Sequence, residues 1–204
     1  AGHVRVYKNN NGTWTKIGSD IDGEGYSDYS GYSVSLSADG SVVAIGAIYN
    51  DATASNAGHV RVYKNNNGTW TKIGSDIDGE AASDHSGSSV SLSSDGSVVA
   101  IGAIYNDGTA SNAGHVRVYQ NNNGTWTKIG SDIDGEANGD YSGWSVSLSS
   151  DGSVVAIGAY NNDGTASNAG HVRVYHNLGQ NTLSFTTTDN IAPSLSSSTP
   201  ADNA

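Results

Sequence analysis

Ala57-Gly58-His59-Val60-Arg61-Val62-Tyr63 is the stretch that decides the fold, because the same seven residues also begin at Ala1, Ala113 and Ala169. The copies stand 56 residues apart, with no insertion or deletion between them. A fixed period of that length marks a stacked array of one supersecondary unit. The unit can be read outward from this stretch. His59-Val60-Arg61-Val62-Tyr63 has the alternation of a strand. Asn65-Asn66-Asn67-Gly68 follows as a hairpin turn, and Thr69-Trp70-Thr71-Lys72-Ile73 returns as the next strand. Upstream, Ser33-Val34-Ser35-Leu36-Ser37 alternates, Ala38-Asp39-Gly40 turns, and Val42-Val43-Ala44-Ile45-Gly46-Ala47 is nearly continuous apolar strand, expected to be covered on both faces. β-branched residues and glycines recur too often for a helix.

Each repeat is therefore two hairpins, or one four-stranded antiparallel sheet with two partly apolar faces. Stacking such sheets face to face around an axis buries both, which is the construction of a β-propeller. A β-solenoid is the alternative, but its rungs are usually shorter and lack two internal hairpins. The expected class is all-β: a β-propeller segment of four-stranded antiparallel blades, about three and a half repeats long. The expected bounds are a half blade over 1–23 and blades over about 29–79, 85–135 and 141–187, so that repeats fill 1–188. The Ser33–Ser37 strand would lie innermost and the Trp70 strand outermost. The chain begins inside a repeat and reads as a segment of something longer. Residues 189–204 read as an exposed linker toward a further domain.

The segments Ser30-Gly31-Tyr32-Ser33-Val34, Asp39-Gly40-Ser41-Val42-Val43-Ala44-Ile45-Gly46-Ala47 and Gly58-His59-Val60-Arg61-Val62-Tyr63 together resemble the FG-GAP repeat. That repeat is the blade motif of the integrin α-subunit propeller and its bacterial relatives. The resemblance implies an extracellular, cell-adhesion propeller that binds calcium. In two places this chain departs from the pattern. The Pro of the family's Gly-Ala-Pro is Ile48, Ile104 or Tyr160 here, and the first hairpin is shorter than the family's calcium loop. The tail from Ile191 to Ala201 resembles the start of a bacterial immunoglobulin-like domain.

Composition narrows the function. Nine Lys+Arg against 20 Asp+Glu give a net charge of −11, which repels nucleic-acid phosphates and anionic membranes and favours cations. There is no Cys, so disulfides, thiolate metal sites and thiol nucleophiles are excluded. No apolar run approaches the ~20 residues of a membrane helix, so membrane insertion is not expected. With the resemblance, this points to a secreted or cell-surface bacterial protein.

The acidic clusters Asp20, Asp22, Glu24 and Asp28, then Asp76, Asp78, Glu80 and Asp84, then Asp132, Asp134, Glu136 and Asp140, are candidate calcium ligands. Calcium takes about six to eight oxygen ligands, and a Gly lets closely spaced carboxylates wrap the ion. The other reading is that these carboxylates cap turns by accepting backbone N–H bonds. His3, His59, His115 and His171 fall one to a blade, too far apart to share one ion, and read as packing between blades, as do Trp14, Trp70 and Trp126. Asn11-Gly12-Thr13 and its copies match a glycosylation sequon, though Asn-Gly is also what a two-residue hairpin turn requires.

No nucleophile elbow, phosphate loop or paired-carboxylate motif stands out, and nearly every polar residue recurs in every copy. A catalytic site brings unlike residues together once. The expectation is therefore a non-catalytic adhesion or structural module, with a carbohydrate-binding, lectin-like propeller as the alternative and a propeller enzyme third. The copies differ at Tyr26, Tyr29, Tyr32, His85, Tyr141 and Trp144, which antiparallel connectivity gathers on one rim. Selected diversity there makes these the candidate contacts for a protein or glycan surface ligand, whereas neutral drift would leave them idle. Because propellers close with about four to eight blades, closure by upstream repeats or by self-association is also expected.

Overall fold

The computed structural model describes residues 1–177 and 185–187. The 189–204 linker and its immunoglobulin-like resemblance lie outside them. Among the described residues all regular structure is strand, every strand pairs antiparallel, and no helix is long and apolar enough to cross a membrane. In the first complete sheet Ser33–Leu36, Val42–Ala47, His59–Asn66 and Thr69–Lys72 hydrogen-bond in chain order. Ser86–Leu92, Val98–Ala103, His115–Asn122 and Thr125–Lys128 repeat this order. Ser145–Leu148, Val154–Ala159, His171–Asn177 and Phe185–Thr187 form the last sheet. Ahead of them, His3–Val4 pairs Ile21–Asp22 and Tyr7–Asn10 pairs Thr13–Lys16, two short sheets in the place of the outer strands of one more blade. This is the β-propeller arrangement.

Two details go beyond the sequence reading. The third strand runs on to Asn66, so the turn is Asn67-Gly68 alone, at φ 53° and 91°. Positive φ at both central residues is the I′ hairpin for which Asn-Gly is suited. The outer edge of the blade is also in two pieces: Thr69–Lys72 pairs the far half of the third strand, and Ile77–Asp78 pairs its start. That short strand carries half of an acidic cluster up to His59.

The core lies between blades. Val42, Ala44, Val60 and Val62 pack on Leu92, Val99 and Ile101 of the next sheet, and Val98, Ala100, Val116 and Val118 pack on Val155 and Ile157. Val42–Ala47 is buried throughout, as its unbroken apolar run requires. Near the axis the sheets approach so closely that a Cβ on Gly46 or Gly102 would overlap the Gly87 or Gly143 carbonyl oxygen. At the periphery the Trp70 and Trp126 indoles donate to the Ile17 and Ile73 carbonyls of the preceding sheet, each at 2.9 Å. The Arg61 and Arg117 guanidinia likewise donate to the Asp22 and Asp78 carbonyls at 2.9 Å. These side chains lock one blade to the next.

Candidate functional site: an aromatic arc on one rim

The loop entering each innermost strand alternates into the left-handed region. Ser27, Tyr29 and Gly31 stand at φ 64°, 57° and 93°, and Ser83, His85 and Gly87 at 66°, 54° and 88°. In the third copy the series is Gly139, Tyr141 and Gly143 at 74°, 54° and 87°. A non-glycine residue there costs roughly 1–2 kcal/mol, so surrounding contacts must hold it. A buried aspartate does so. Asp84 accepts from the Ala81 backbone N–H at 3.1 Å and the Asn106 amide at 3.0 Å. Asp28 with Asn50 and Asp140 with Asn162 repeat the bridge. Each pair ties the entry loop to the loop after the second strand, next to an aromatic residue on either side in the first two copies and one residue removed from Tyr160 in the third.

Seven rings thereby join into one arc. Tyr29 meets Tyr49 at 4.9 Å, Tyr49 meets His85 at 4.8 Å, and His85 meets Tyr105 at 4.8 Å, all edge to face. Tyr105 meets Tyr141 at 5.5 Å, Tyr141 stacks on Tyr160 at 5.6 Å, and Trp144 lies 4.5 Å from Tyr160. Such pairs are favourable beyond their buried area, yet Tyr29, Tyr105, Trp144 and Tyr160 keep a third or more of their surface exposed. The arc is therefore packed ring on ring and still faces solvent. Burial lowers the His85 imidazole below its ordinary value, against the opposing Asp84 charge.

Of the residues expected on this rim, Tyr29, His85, Tyr141 and Trp144 come together in the arc. Tyr32 is half exposed beside its entry turn, and Tyr26 is 97% exposed, with no ring partner among the described residues. Tyr49, Tyr105 and Tyr160 were missed. They sit in the second of the two loops that antiparallel connectivity places on this rim, which was the available signal. In the third copy the tyrosine moves one place forward to Tyr160, and Asn161 donates instead to the Gly139 carbonyl at 3.1 Å.

The acidic clusters are parted by the fold. Asp28, Asp84 and Asp140 lie under the arc as loop anchors. Asp20 accepts from Arg5 at 2.9 Å and Lys16 at 2.8 Å, and these hydrogen bonds, Arg5 first, hold its carboxyl well below the usual carboxylate range. Asp76 and Asp132 accept from Lys72 and Lys128 at 2.6 Å. Glu24, Glu80 and Glu136 pair with Arg61, Arg117 and Arg173 of the following repeat. Asp22 pairs with His3 in the strand register, and Asp78 and Asp134 come to His59 and His115. Burial lowers both of those imidazoles. At the hairpin where the FG-GAP resemblance would place calcium, Asp39 is the one carboxylate, and it is taken by the Ser41 N–H and the Ser37 hydroxyl. That hairpin does not fit an ion needing about six or more oxygens.

Residues 131–175 match the FG-GAP repeat model. No curated protein matches the chain. Among solved structures, a protein from Bacteroides uniformis provisionally named a 6-phosphogluconolactonase is similar over 93% of this chain and 48% of its own, with a TM-score of 0.63 at 13% identity. A second of that provisional name, from Bacteroides fragilis, covers 76% of this chain and 37% of its own, with a TM-score of 0.52 at 14% identity. The chain thus spans less than half the length of these structures, and the likeness is one of fold. It corrects the expectation of a non-catalytic adhesion or structural module that is not an enzyme. The propellers this chain is similar to carry the provisional name 6-phosphogluconolactonase, an enzyme name, so a propeller frame is no argument against catalysis. Repetition in the strands leaves the rim free to differ, and the arc does differ, with one histidine among its tyrosines. Residues 131–175 form an FG-GAP-like repeat, and the chain is folded as the blades of a β-propeller.

Proposed function

We propose that this propeller belongs to a hydrolase of sugar lactones, with the aromatic arc as its substrate rim and His85 as its general base. The observation that carries the reading is His85 itself. It interrupts the tyrosine arc at one place, between Tyr49 and Tyr105, where the other copies have Tyr29 and Tyr141. Sugar rings present apolar C–H faces that stack on such aromatic surfaces. A neutral imidazole takes a proton from water as that water attacks the lactone carbonyl. The ring C–O bond then breaks, the imidazolium returns its proton to the leaving oxygen, and an open-chain hydroxy acid results. Tyr49 and Tyr105 flank the histidine with the hydroxyl donors that a developing oxyanion calls for.

The charge on the chain favours a neutral lactone over a phosphorylated one. No Lys or Arg belongs to the arc, and a net charge of −11 opposes a phosphate. Further blades, from a second copy or from additional repeats, complete the mouth in this reading, in keeping with a match to less than half of each neighbour. The FG-GAP-like repeat, similar to the blades of extracellular propellers, supports a place outside the cytoplasm.

Acid release from glucono-δ-lactone, followed with a pH indicator against the spontaneous rate, tests the proposal. Turnover above background that His85→Tyr reduces at least tenfold supports it. His85→Tyr installs the residue that the other copies carry, so the fold is kept. No turnover above background, or turnover indifferent to that substitution, rejects it.

A further inference from the structure

The geometry points to a second kind of site, repeated between blades: a transition-metal centre of zinc class formed by Glu24, His59, Asp76 and Asp78, and again by Glu80, His115, Asp132 and Asp134. Ligand atoms of Glu24, His59 and Asp76 lie within 4.8 Å of one another, as do those of Glu80, His115 and Asp132. Each set draws its glutamate from one repeat and its histidine and aspartates from the next, so an ion there would clamp adjacent blades together.

An acidic cluster alone would carry nothing, since carboxylates commonly gather without an ion. The histidine adds an independent observation. His59 is 1% exposed, and its Nδ1 is buried with no hydrogen-bond partner. That nitrogen faces Asp76 Oδ2 and Asp78 Oδ1, each at 3.9 Å. Asp78 Oδ1 is itself buried without a partner. Two orphaned polar atoms facing one another across a gap too long for a hydrogen bond are costly unless something sits between them. Two ligand atoms on one zinc ion stand about 3.4 Å apart, from bonds of about 2.0–2.2 Å in a tetrahedron, so the histidine–aspartate gaps of 3.9 Å need to close only slightly, while Glu24, within 4.8 Å and half exposed, swings in further.

The surroundings are arranged for this. Lys72 holds Asp76 by Oδ1, leaving Oδ2 toward the histidine, and Arg61 holds Glu24 by Oε1. Partners outside a metal's ligands orient them in this way. In the second copy His115 Nδ1 lies 3.8 Å from Asp134 Oδ1, and Lys128 and Arg117 hold Asp132 and Glu80. An imidazole among carboxylates selects zinc-like ions, whereas calcium prefers an all-oxygen shell. The third copy keeps Glu136 beside His171 at 3.8 Å, but Asn177 pairs Phe185 as Asn121 pairs Trp126, and counted from that register the sequence has Ile191 and Pro193 in the places of Asp132 and Asp134. It therefore serves as an internal control.

Zinc chloride titrated into the chelator-stripped full chain, read by calorimetry, tests the inference, with cobalt chloride and its visible absorption as a second probe. The expected result is two equivalents bound per chain, undisturbed by millimolar calcium. Glu24→Gln, at a half-exposed position, and Asp132→Asn each remove one equivalent while circular dichroism stays unchanged. No binding at millimolar zinc overturns the inference, and so does displacement by an equal concentration of calcium. Two equivalents persisting in the Glu24→Gln, Asp132→Asn double variant overturns it as well. None of these readouts depends on lactone turnover.

Discussion

The Asp84 carboxylate accepts a hydrogen bond from the Asn106 side chain at 3.0 Å, across 22 residues of chain. His85 follows the aspartate and Tyr105 precedes the asparagine, so this bond sets the separation of two rings in the arc. Asp84→Ala leaves the Asn106 amide and the Ala81 N–H without their acceptor in a buried site. The expected loss is about 2 kcal/mol of stability, read by urea unfolding. Any ligand bound at the arc should be lost with it.

Close approach near the axis predicts unequal tolerance of alanine at equivalent glycines. A Cβ on Gly102 would strike the Gly143 backbone oxygen of the neighbouring sheet, while at Gly158 the near atom is only the Ser145 side-chain hydroxyl. Gly102→Ala should therefore cost about 1–3 kcal/mol through overpacking, and Gly158→Ala distinctly less. Paired denaturant melts decide it, and equal losses would contradict the packing described.

The tryptophans should separate in the same manner. Trp126→Phe removes the indole bond to the Ile73 carbonyl and packing against the core between blades, and should cost about 1–3 kcal/mol. Trp14 is 65% exposed, and Trp14→Phe should stay within about 0.5 kcal/mol of the parent. Thermal melts of the two variants make the comparison.

Acid should protonate the first-hairpin aspartates only after it has titrated ordinary carboxylates. The Ser41 N–H and the Ser37 hydroxyl pull Asp39 down from 3.8 to about 2. The Ser149 hydroxyl and the Ser153 N–H do the same for Asp151, also to about 2. A carboxylate depressed in the folded state contributes stability that is present above about pH 4 and lost as pH falls through about 2. Side-chain carboxyl resonances should place both midpoints near 2. The melting temperature should fall across that window, with a shallower slope in an Asp39→Asn, Asp151→Asn variant. Midpoints near 3.8 would refute the turn bonds.

What the sequence determined by itself was the frame. The 56-residue period, the alternation in Ser33–Leu36, the doubly buried Val42–Ala47 run and the Asn67-Gly68 turn are all local, because strand faces and turn dihedrals depend on neighbours along the chain. Recurrence also placed Trp70 and Trp126 between blades, but Trp14, read in the same way, is exposed. What only the tertiary structure decided was which residues meet across blades. Asp28 left its sequence neighbours Asp20 and Asp22 to anchor Asn50, and His59 found Glu24 of the previous repeat. Tyr49, His85 and Tyr105 closed into one surface from separate loops. Those meetings are fixed by how closely two sheets pack and how they are rotated, quantities that no single repeat encodes. Repetition in the strands leaves the contacts on the rim to be set between copies, and there a single histidine stands among the tyrosines.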